Sequence, residues 1–87
     1  MTTFERLQNI LIADYPLTRE ALTLDALLEN LDIDSLGLVE LMFSIEKEFN
    51  IIVPNDRVEL KMIGDVVHYI NQLVAEQQVD SISSRAA

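Results

Sequence analysis

Apolar side chains recur along this chain at the spacing of amphipathic helices, because residues three and four apart share one side of a helix. The first such stretch is residues 3–14, whose apolar face consists of Phe4, Leu7, Ile10 and Leu11. Thr3 is a partial start signal, since a capping box from Thr3 requires Glu or Gln where Arg6 stands. Tyr15-Pro16 ends the pattern, because the residue before proline disfavours helical geometry. We predict a first helix over residues 3–14.

Residues 15–34 are apolar but lack a clear period, apart from a candidate helical turn at 25–30. The apolar residues are Leu22, Leu24, Leu27, Leu28, Leu31 and Ile33. So long a connection in a small domain is unusual and tends to be functional. We predict a loop that is pinned across the helices by its leucines and delivers Asp32 to Ser35 to a defined place.

The next periodic stretch, residues 35–49, predicts a second helix with two apolar faces. At about 100° per residue, one arc contains Leu38, Leu41, Met42, Ile45 and Phe49. The second arc, on nearly the opposite side, contains Leu36, Val39 and Phe43 and is edged by Glu40, Glu46 and Lys47. One stripe is enough to pack a helix on a core. The second stripe therefore predicts an outward-facing surface for a partner.

The second helix is expected to end at Asn50, which tolerates the left-handed conformation. The run Ile51-Ile52-Val53 suits a strand, but the chain offers no second one, so we interpret it as an extended, buried link. Pro54 can begin a helix, and we expect one or two short turns between Asn55 and Leu60.

Residues 63–77 predict the last helix, with Asp65 well placed against the helix dipole. The pattern is lost from about residue 79. We predict a single domain over residues 1–78 and a disordered tail over 79–87. With two Gly, two Pro and five aromatic residues, the chain favours an all-α fold, a small helical bundle, over a β-sandwich or barrel.

Composition narrows the function. The chain has 87 residues, is 49% hydrophobic and carries a net charge of −9 from 15 acids and 6 bases. This charge disfavours nucleic acids and anionic membranes, which require basic patches. It favours partners with basic docking surfaces, although acidity also serves solubility alone. Nothing in the pattern indicates oligomerisation, so we expect a monomer.

Several kinds of chemistry are excluded or disfavoured. The chain has no cysteine, which excludes disulfides, thiolate nucleophiles and cysteine zinc sites. The spacing of the acids matches no calcium loop, so we assign no metal ligands. His68, the sole histidine, is expected to be exposed on the last helix, and no catalytic residue is assigned. Without a signal peptide or an apolar run of membrane-spanning length, we expect a cytoplasmic protein.

Ser35 supports two interpretations. Ser or Asp before an apolar-periodic run is a common helix cap, and either Asp34 or Ser35 fits that role. Alternatively, Ser35 carries a covalent phosphate group, since a helix N-terminus offers free backbone N–H groups and positive dipole charge to an anion.

The stretch Asp34-Ser35-Leu36, followed by Val39-Glu40-Leu41 and Ile45-Glu46-Lys47-Glu48-Phe49, resembles the acyl carrier protein family. That family has Asp-Ser-Leu at the start of an acidic second helix that ends near Glu-Phe. Val53-Pro54 and residues 64–70 are similar to the family's downstream pattern, so the resemblance covers roughly residues 3–77.

The resemblance implies an all-α four-helix bundle of the acyl-carrier type, with three main helices, one short helix and a long loop between helices 1 and 2. It also implies that Ser35 is esterified with 4′-phosphopantetheine by a phosphopantetheinyl transferase, with Asp34 assisting the modification. The arm's thiol would hold an acyl group as a thioester, which suits a chain without cysteine. The chain would present this group to basic-faced enzymes of fatty-acid, specialised acyl or polyketide synthesis. The docking residues carried over are Leu36, Val39, Glu40, Phe43, Glu46 and Asp56. Candidate lining residues of an acyl pocket are Leu41, Ile45, Val53, Val58 and Ile63, all of which also suit a plain core.

The chain departs from the family pattern at five positions. Asp32 stands where many members have glycine, and Gly37 stands where fatty-acid carriers often place an acid. Lys47 interrupts an acidic helix, and Leu38 and Phe43 are bulkier than expected. Together these changes remove negative charge and add apolar surface, which adds weight to a carrier dedicated to one pathway.

Two alternatives remain. One is a carrier of the same fold loaded with an amino acid or peptide. The other is an unmodified acidic interaction module in which Ser35 only caps the helix.

Overall fold

The computed structural model describes residues 2–54 and 59–86, with side chains described as far as residue 77. It contains three α-helices, α1 (Thr3–Asp14), α2 (Ser35–Phe49) and α3 (Ile63–Ala86). Two short 3₁₀ helices, Arg19–Ala21 and Leu28–Leu31, lie in the connection between α1 and α2. The described residues include no β-strand, only an isolated antiparallel bridge between Leu27 and Met62. The predicted all-α class is confirmed.

Helix α1 has the predicted bounds, but its cap is one residue earlier than the sequence suggested. The Thr2 hydroxyl accepts a hydrogen bond from the Glu5 N–H at 3.1 Å, and the Glu5 carboxylate accepts one from the Thr2 N–H at 3.0 Å. This reciprocal pair is a capping box. At the other end, Tyr15 is extended (φ −130°, ψ 152°), as the following proline predicts.

The first half of the long connection is fixed to α1 by a buried amide. The Gln8 side chain donates to the Leu22 carbonyl at 3.0 Å. Arg19 in turn donates to the Gln8 and Asn9 side-chain oxygens at 3.1 and 2.7 Å. With Leu22 buried beside it, the Gln8 amide satisfies backbone groups that would otherwise be costly to bury.

The second half of the connection runs along the start of α3. Backbone N–H groups of Leu28, Ile63 and Gly64 donate to the carbonyls of Lys61, Ala26 and Leu24 at 2.8, 3.0 and 2.7 Å. We call these three hydrogen bonds the loop–α3 clasp. A Cβ atom at Gly64 would lie 3.0 Å from the Leu24 carbonyl oxygen, so the close approach explains the glycine.

The apolar residues of the connection divide between core and surface. Leu22, Leu28, Leu31 and Ile33 are buried, whereas Leu24 and Leu27 are more exposed. The predicted pinning of the loop by its leucines is therefore confirmed for the buried members. The candidate helical turn at 25–30 is present slightly later, as the 3₁₀ helix at 28–31.

The two apolar arcs predicted for α2 are both confirmed. In the first arc, Leu41, Ile45 and Phe49 are buried, while Leu38 and Met42 are half-buried against the core. In the second arc, Leu36, Val39 and Phe43 are 67%, 50% and 61% exposed. Helix α2 thus packs through one face and presents a second apolar face to solvent.

Helix α2 is joined to α1 at its C-terminal end. The Arg6 guanidinium forms a salt bridge of 3.0 Å with Glu48 and also donates to the Glu48 carbonyl at 2.5 Å. Its central carbon lies 4.1 Å from the centre of the Phe49 ring, a cation–π distance. The Arg6 side chain therefore contacts three groups of the neighbouring helix: the Glu48 carboxylate, the Glu48 carbonyl and the Phe49 ring.

The segment after α2 corrects one prediction. Asn50 ends the helix in the left-handed conformation (φ 55°), as expected. Ile51 is buried, but Ile52 is 74% exposed, so the run is not buried throughout. The side-chain amide of Gln77 bonds both the N–H and the carbonyl of Ile52, at 2.9 and 2.6 Å, and so substitutes for a partner strand. The turns predicted between Asn55 and Leu60 fall mainly on residues 55–58, outside the described residues.

Helix α3 is longer than predicted, since it continues beyond residue 77 to Ala86. No proline or glycine follows Gly64 to interrupt it. The domain boundary predicted at residue 78 and the tail over 79–87 stay predictions. In the described part of the chain, none of the helices has both the length and the apolar character needed to cross a membrane.

The opposite exposures of two phenylalanines on α2 yield a stability prediction. Phe49→Ala should lower the free energy of unfolding by about 3–5 kcal/mol, because it empties a core site and removes the ring under Arg6. Phe43→Ala should change it by less than about 0.5 kcal/mol, because the ring is mostly in solvent. Urea unfolding followed by circular dichroism measures both. A large loss for Phe43→Ala would show that the two arcs are assigned to the wrong sides.

The start of α3 yields a pH prediction. Backbone N–H groups of Lys61 and Met62 donate to the Asp65 carboxylate at 2.9 and 3.1 Å, and these bonds lower the pKa of Asp65 from its ordinary value of 3.8. The resulting stabilisation is complete above pH 3.8 and is lost as the pH falls through the lower folded-state pKa. Asp65→Asn should therefore lower the melting temperature at neutral pH, and the difference from the wild type should shrink in acid.

The matched control for Asp65→Asn is Glu76→Gln, which neutralises a carboxylate of the same helix that accepts a hydrogen bond from the Gln72 side chain. This control should leave the acid dependence of the melting temperature as in the wild type. If Asp65→Asn and the wild type lose stability in parallel below pH 4, Asp65 does not carry the effect.

Candidate functional site

The site is the junction between the long connection and α2. Asp32 ends the preceding 3₁₀ helix in the left-handed conformation (φ 60°, ψ 30°). Glycine is favoured in that conformation, and Asp is among the few side chains that tolerate it. This turn reverses the chain, buries Ile33 and sends Asp34 into extended geometry immediately before α2.

Asp34, and not Ser35, caps α2. The Asp34 carboxylate accepts a hydrogen bond from the Gly37 N–H at 2.8 Å, which is the geometry of an N-cap. Ser35 is the first helical residue and is exposed. Of the two cap assignments that the sequence left open, the structure selects Asp34, and the Ser35 hydroxyl is not the capping group.

The position of Ser35 favours an anion. The first turn of a helix has backbone N–H groups without helical partners and carries the positive end of the dipole. A phosphate ester on Ser35 would lie at this end, next to the capping carboxylate of Asp34. The described part of the chain contains no group of three or more His, Cys, Asp or Glu side chains arranged to hold a metal ion.

A cleft of about 610 Å³ opens beside Ser35. Its walls come from the long connection, the start of α2 and the segment before α3. The lining residues are Leu27, Leu28, Glu29, Ile33, Asp34, Ser35, Leu38, Leu60 and Lys61. The interior is largely leucine and isoleucine, and the charged groups are two acids besides one lysine. The cleft is thus an apolar space with Ser35 in its wall.

The described residues among those predicted to line an acyl pocket lie outside this cleft, and their assignment to an acyl pocket stays a prediction. Leu41, Ile45 and Ile63 are buried in the core, and Val53 is half-buried against it. Val58 lies outside the described residues. None of the four described residues lines the cleft beside Ser35. Sequence reasoning missed the cleft because its walls come from three separate segments of the chain, so no single helical period indicates a shared face.

The predicted docking residues are mostly exposed on α2. Glu40 is exposed beside Leu36, Val39 and Phe43. Glu46 is half-buried, and its carboxylate accepts a hydrogen bond from the Val53 N–H at 2.8 Å, which gives it a structural role as well. Asp56 lies outside the described residues. The exposure of Ile52 was not predicted, because a β-branched run suggested burial.

Tyr15 contacts the same helix start from the end of α1. Its hydroxyl lies 3.5 Å from the Gly37 carbonyl oxygen. Burial raises the pKa of Tyr15 above its ordinary value of 10.0, and the carboxylates of Glu40, Asp14 and Asp34 add to the rise. The phenol is therefore neutral at physiological pH.

Comparison with known proteins finds relatives that match most of the chain. A family model described as "Phosphopantetheine attachment site" matches residues 5–70. Acyl carrier proteins from Lactococcus lactis subsp. cremoris, strains MG1363 and SK11, are each 34% identical to this chain over 70 residues. The acyl carrier protein of L. lactis subsp. lactis strain IL1403 is equally similar. Each match covers 80% of this chain and 94% of the relative.

The family model spans the site from α1 to the core of α3, and the relatives are matched over nearly their whole length. The helical fold and the Asp34-Ser35-Leu36 helix start agree with the resemblance found in the sequence. The chain therefore belongs to the acyl carrier protein family.

Proposed function

We propose that Ser35 carries a covalent 4′-phosphopantetheine arm and that the chain carries acyl groups as thioesters on it. The observation that supports this most directly is that the helix cap and Ser35 are different residues at the start of α2. Asp34 supplies the cap and Ser35 is an exposed residue, so we infer that its hydroxyl is available for esterification. The acyl group would be passed between enzymes of fatty-acid or specialised acyl synthesis, and the chain itself would catalyse no step.

The proposed arm begins at a position that suits its charge. The phosphodiester would face the backbone N–H groups and positive dipole end of α2. The adjoining cleft offers an apolar space for part of the arm or for the start of an acyl chain. Its leucine lining favours an apolar cargo over a charged one, which favours an acyl carrier over an aminoacyl carrier.

The proposed partners are a phosphopantetheinyl transferase and acyl-processing enzymes with basic docking surfaces, in the cytoplasm. They would meet the exposed stripe of Leu36, Val39 and Phe43, with Glu40 at its edge. A net charge of −9 would speed the encounter by electrostatic steering. Glu46 and Asp56 complete the proposed docking set.

The first test is modification of Ser35. Incubation with coenzyme A, Mg²⁺ and a broad-specificity phosphopantetheinyl transferase should add one phosphopantetheine to the wild type, as measured by intact mass. Ser35→Ala should gain none, while its free energy of unfolding should change by less than about 0.5 kcal/mol, because the cap at Asp34 is retained.

The matched control is Ser44→Ala, which removes the other serine of α2 and should still gain one phosphopantetheine. If several transferases leave the wild type unmodified, the chain is an interaction module. If Ser35→Ala is modified as well, the attachment residue is a different one.

A second test addresses docking, with the transferase as the partner. Glu40→Lys should raise the transferase KM for this protein about ten-fold, because charge reversal opposes a basic surface. Phe43→Ala should also raise KM, through loss of exposed apolar contact area. Neither change should alter the melting temperature, since both side chains are exposed.

The control for Glu40→Lys is Glu20→Lys, which makes the same change of charge on the exposed first 3₁₀ helix. An equal rise in KM for both variants would mean that net charge alone governs the encounter, and that α2 is not the docking face.

A further inference from the structure

Gly37 is buried in the first turn of α2, only two residues after Ser35. A Cβ atom built on Gly37 would lie 2.8 Å from the Tyr15 hydroxyl oxygen and 3.3 Å from the Asp34 carboxylate. The first distance is shorter than real Cβ atoms show. The space that any side chain at position 37 would need is therefore taken by the Tyr15 hydroxyl.

Tyr15 is itself firmly placed. Its N–H donates to the Leu11 carbonyl at 2.9 Å, its carbonyl accepts from the Leu17 N–H at 2.8 Å, and Pro16 follows it. Its ring is half-buried and packs against the core. The hydroxyl thus reaches the Gly37 carbonyl from a rigid base at the end of α1.

The first turn of α2 is consequently contacted from two sides. The Asp34 carboxylate binds the Gly37 N–H, and the Tyr15 hydroxyl lies against the Gly37 carbonyl. In the chain, Ser35 lies between the capping residue Asp34 and this glycine. A displacement of Gly37 would move the turn that carries the Ser35 hydroxyl.

We propose that Tyr15 is a positioning residue for the modification of Ser35, and that it acts by seating its hydroxyl against Gly37. This inference rests on the proposed attachment of phosphopantetheine to Ser35. It also assigns a role to a glycine at a position where the resemblance leads one to expect an acid. Tyr15 and Gly37 form a matched pair, because the Tyr15 hydroxyl occupies the space that a side chain at position 37 would need.

The experiment is a double-mutant cycle on the transferase reaction with coenzyme A. Gly37→Ala should lower kcat about ten-fold, because displacement of a reacting group is costly, while KM stays within about two-fold because the docking stripe is untouched. Tyr15→Phe keeps the ring, loses the hydroxyl and should lower kcat about three-fold. In the Tyr15→Phe background, Gly37→Ala should cause no further loss, because the atom that its methyl would meet is gone.

The chain supplies its own controls, since it has two tyrosines and two glycines. Tyr69→Phe should not rescue Gly37→Ala. In Gly64→Ala the added methyl lies 3.0 Å from the Leu24 carbonyl oxygen and not against a tyrosine hydroxyl. Tyr15→Phe should therefore restore none of the kcat or stability that Gly64→Ala loses. Thermal unfolding of every variant reports separately on stability.

The outcomes are distinct. The inference is supported if Gly37→Ala lowers kcat in the wild type but not in the Tyr15→Phe background, and if the control pairs show no such coupling. Equal loss from Gly37→Ala with and without the Tyr15 hydroxyl overturns it, as does a Gly37→Ala variant with unchanged kcat. Coupling in melting temperature without coupling in kcat also overturns it, because the contact then serves stability alone. Failure of the wild type to be modified overturns the proposed function, whereas failure of the cycle on a modified wild type overturns only the inference.

Discussion

The backbone N–H groups at the start of α2 need an acceptor, and which side chain supplies it determines what the site can do. Helices commonly begin with a serine in this role, and the segment before α2 offers both an aspartate and a serine. Since the Asp34 carboxylate binds the Gly37 N–H, the cap and the modifiable hydroxyl are different groups on adjacent residues. The proposed chemistry at Ser35 can therefore proceed without dismantling the end of the helix.

Placing that helix start is the task of the long connection. A segment of this length carries many backbone groups that must be satisfied or left in water. The buried Gln8 amide satisfies some near α1, and the loop–α3 clasp satisfies others near α3. Because both halves of the connection are fixed, Leu28 and Ile33 are buried in the core and also line the cleft. The same contacts that stabilise the connection therefore form the space beside Ser35.

The helices and the divided faces of α2 followed from the sequence because periodic burial dominates their pattern. The site was only partly predictable. A sequence shows that Asp34 and Ser35 are both competent caps, but the choice depends on backbone geometry set by the left-handed turn at Asp32. The cleft and the exposure of Ile52 depend on contacts between distant segments, such as the Gln77 amide. No local pattern encodes those contacts.

The five departures from the family pattern can now be separated by physical cause. Asp32 adopts the left-handed conformation that glycine otherwise serves, and Gly37 leaves room for a phenol from α1. Leu38 lines the cleft. Only Phe43 and Lys47 are both exposed on α2, where a partner would meet them. Backbone conformation accounts for Asp32, and packing accounts for Gly37. Only the two surface residues and Leu38 in the cleft therefore favour the proposal of a carrier dedicated to one pathway.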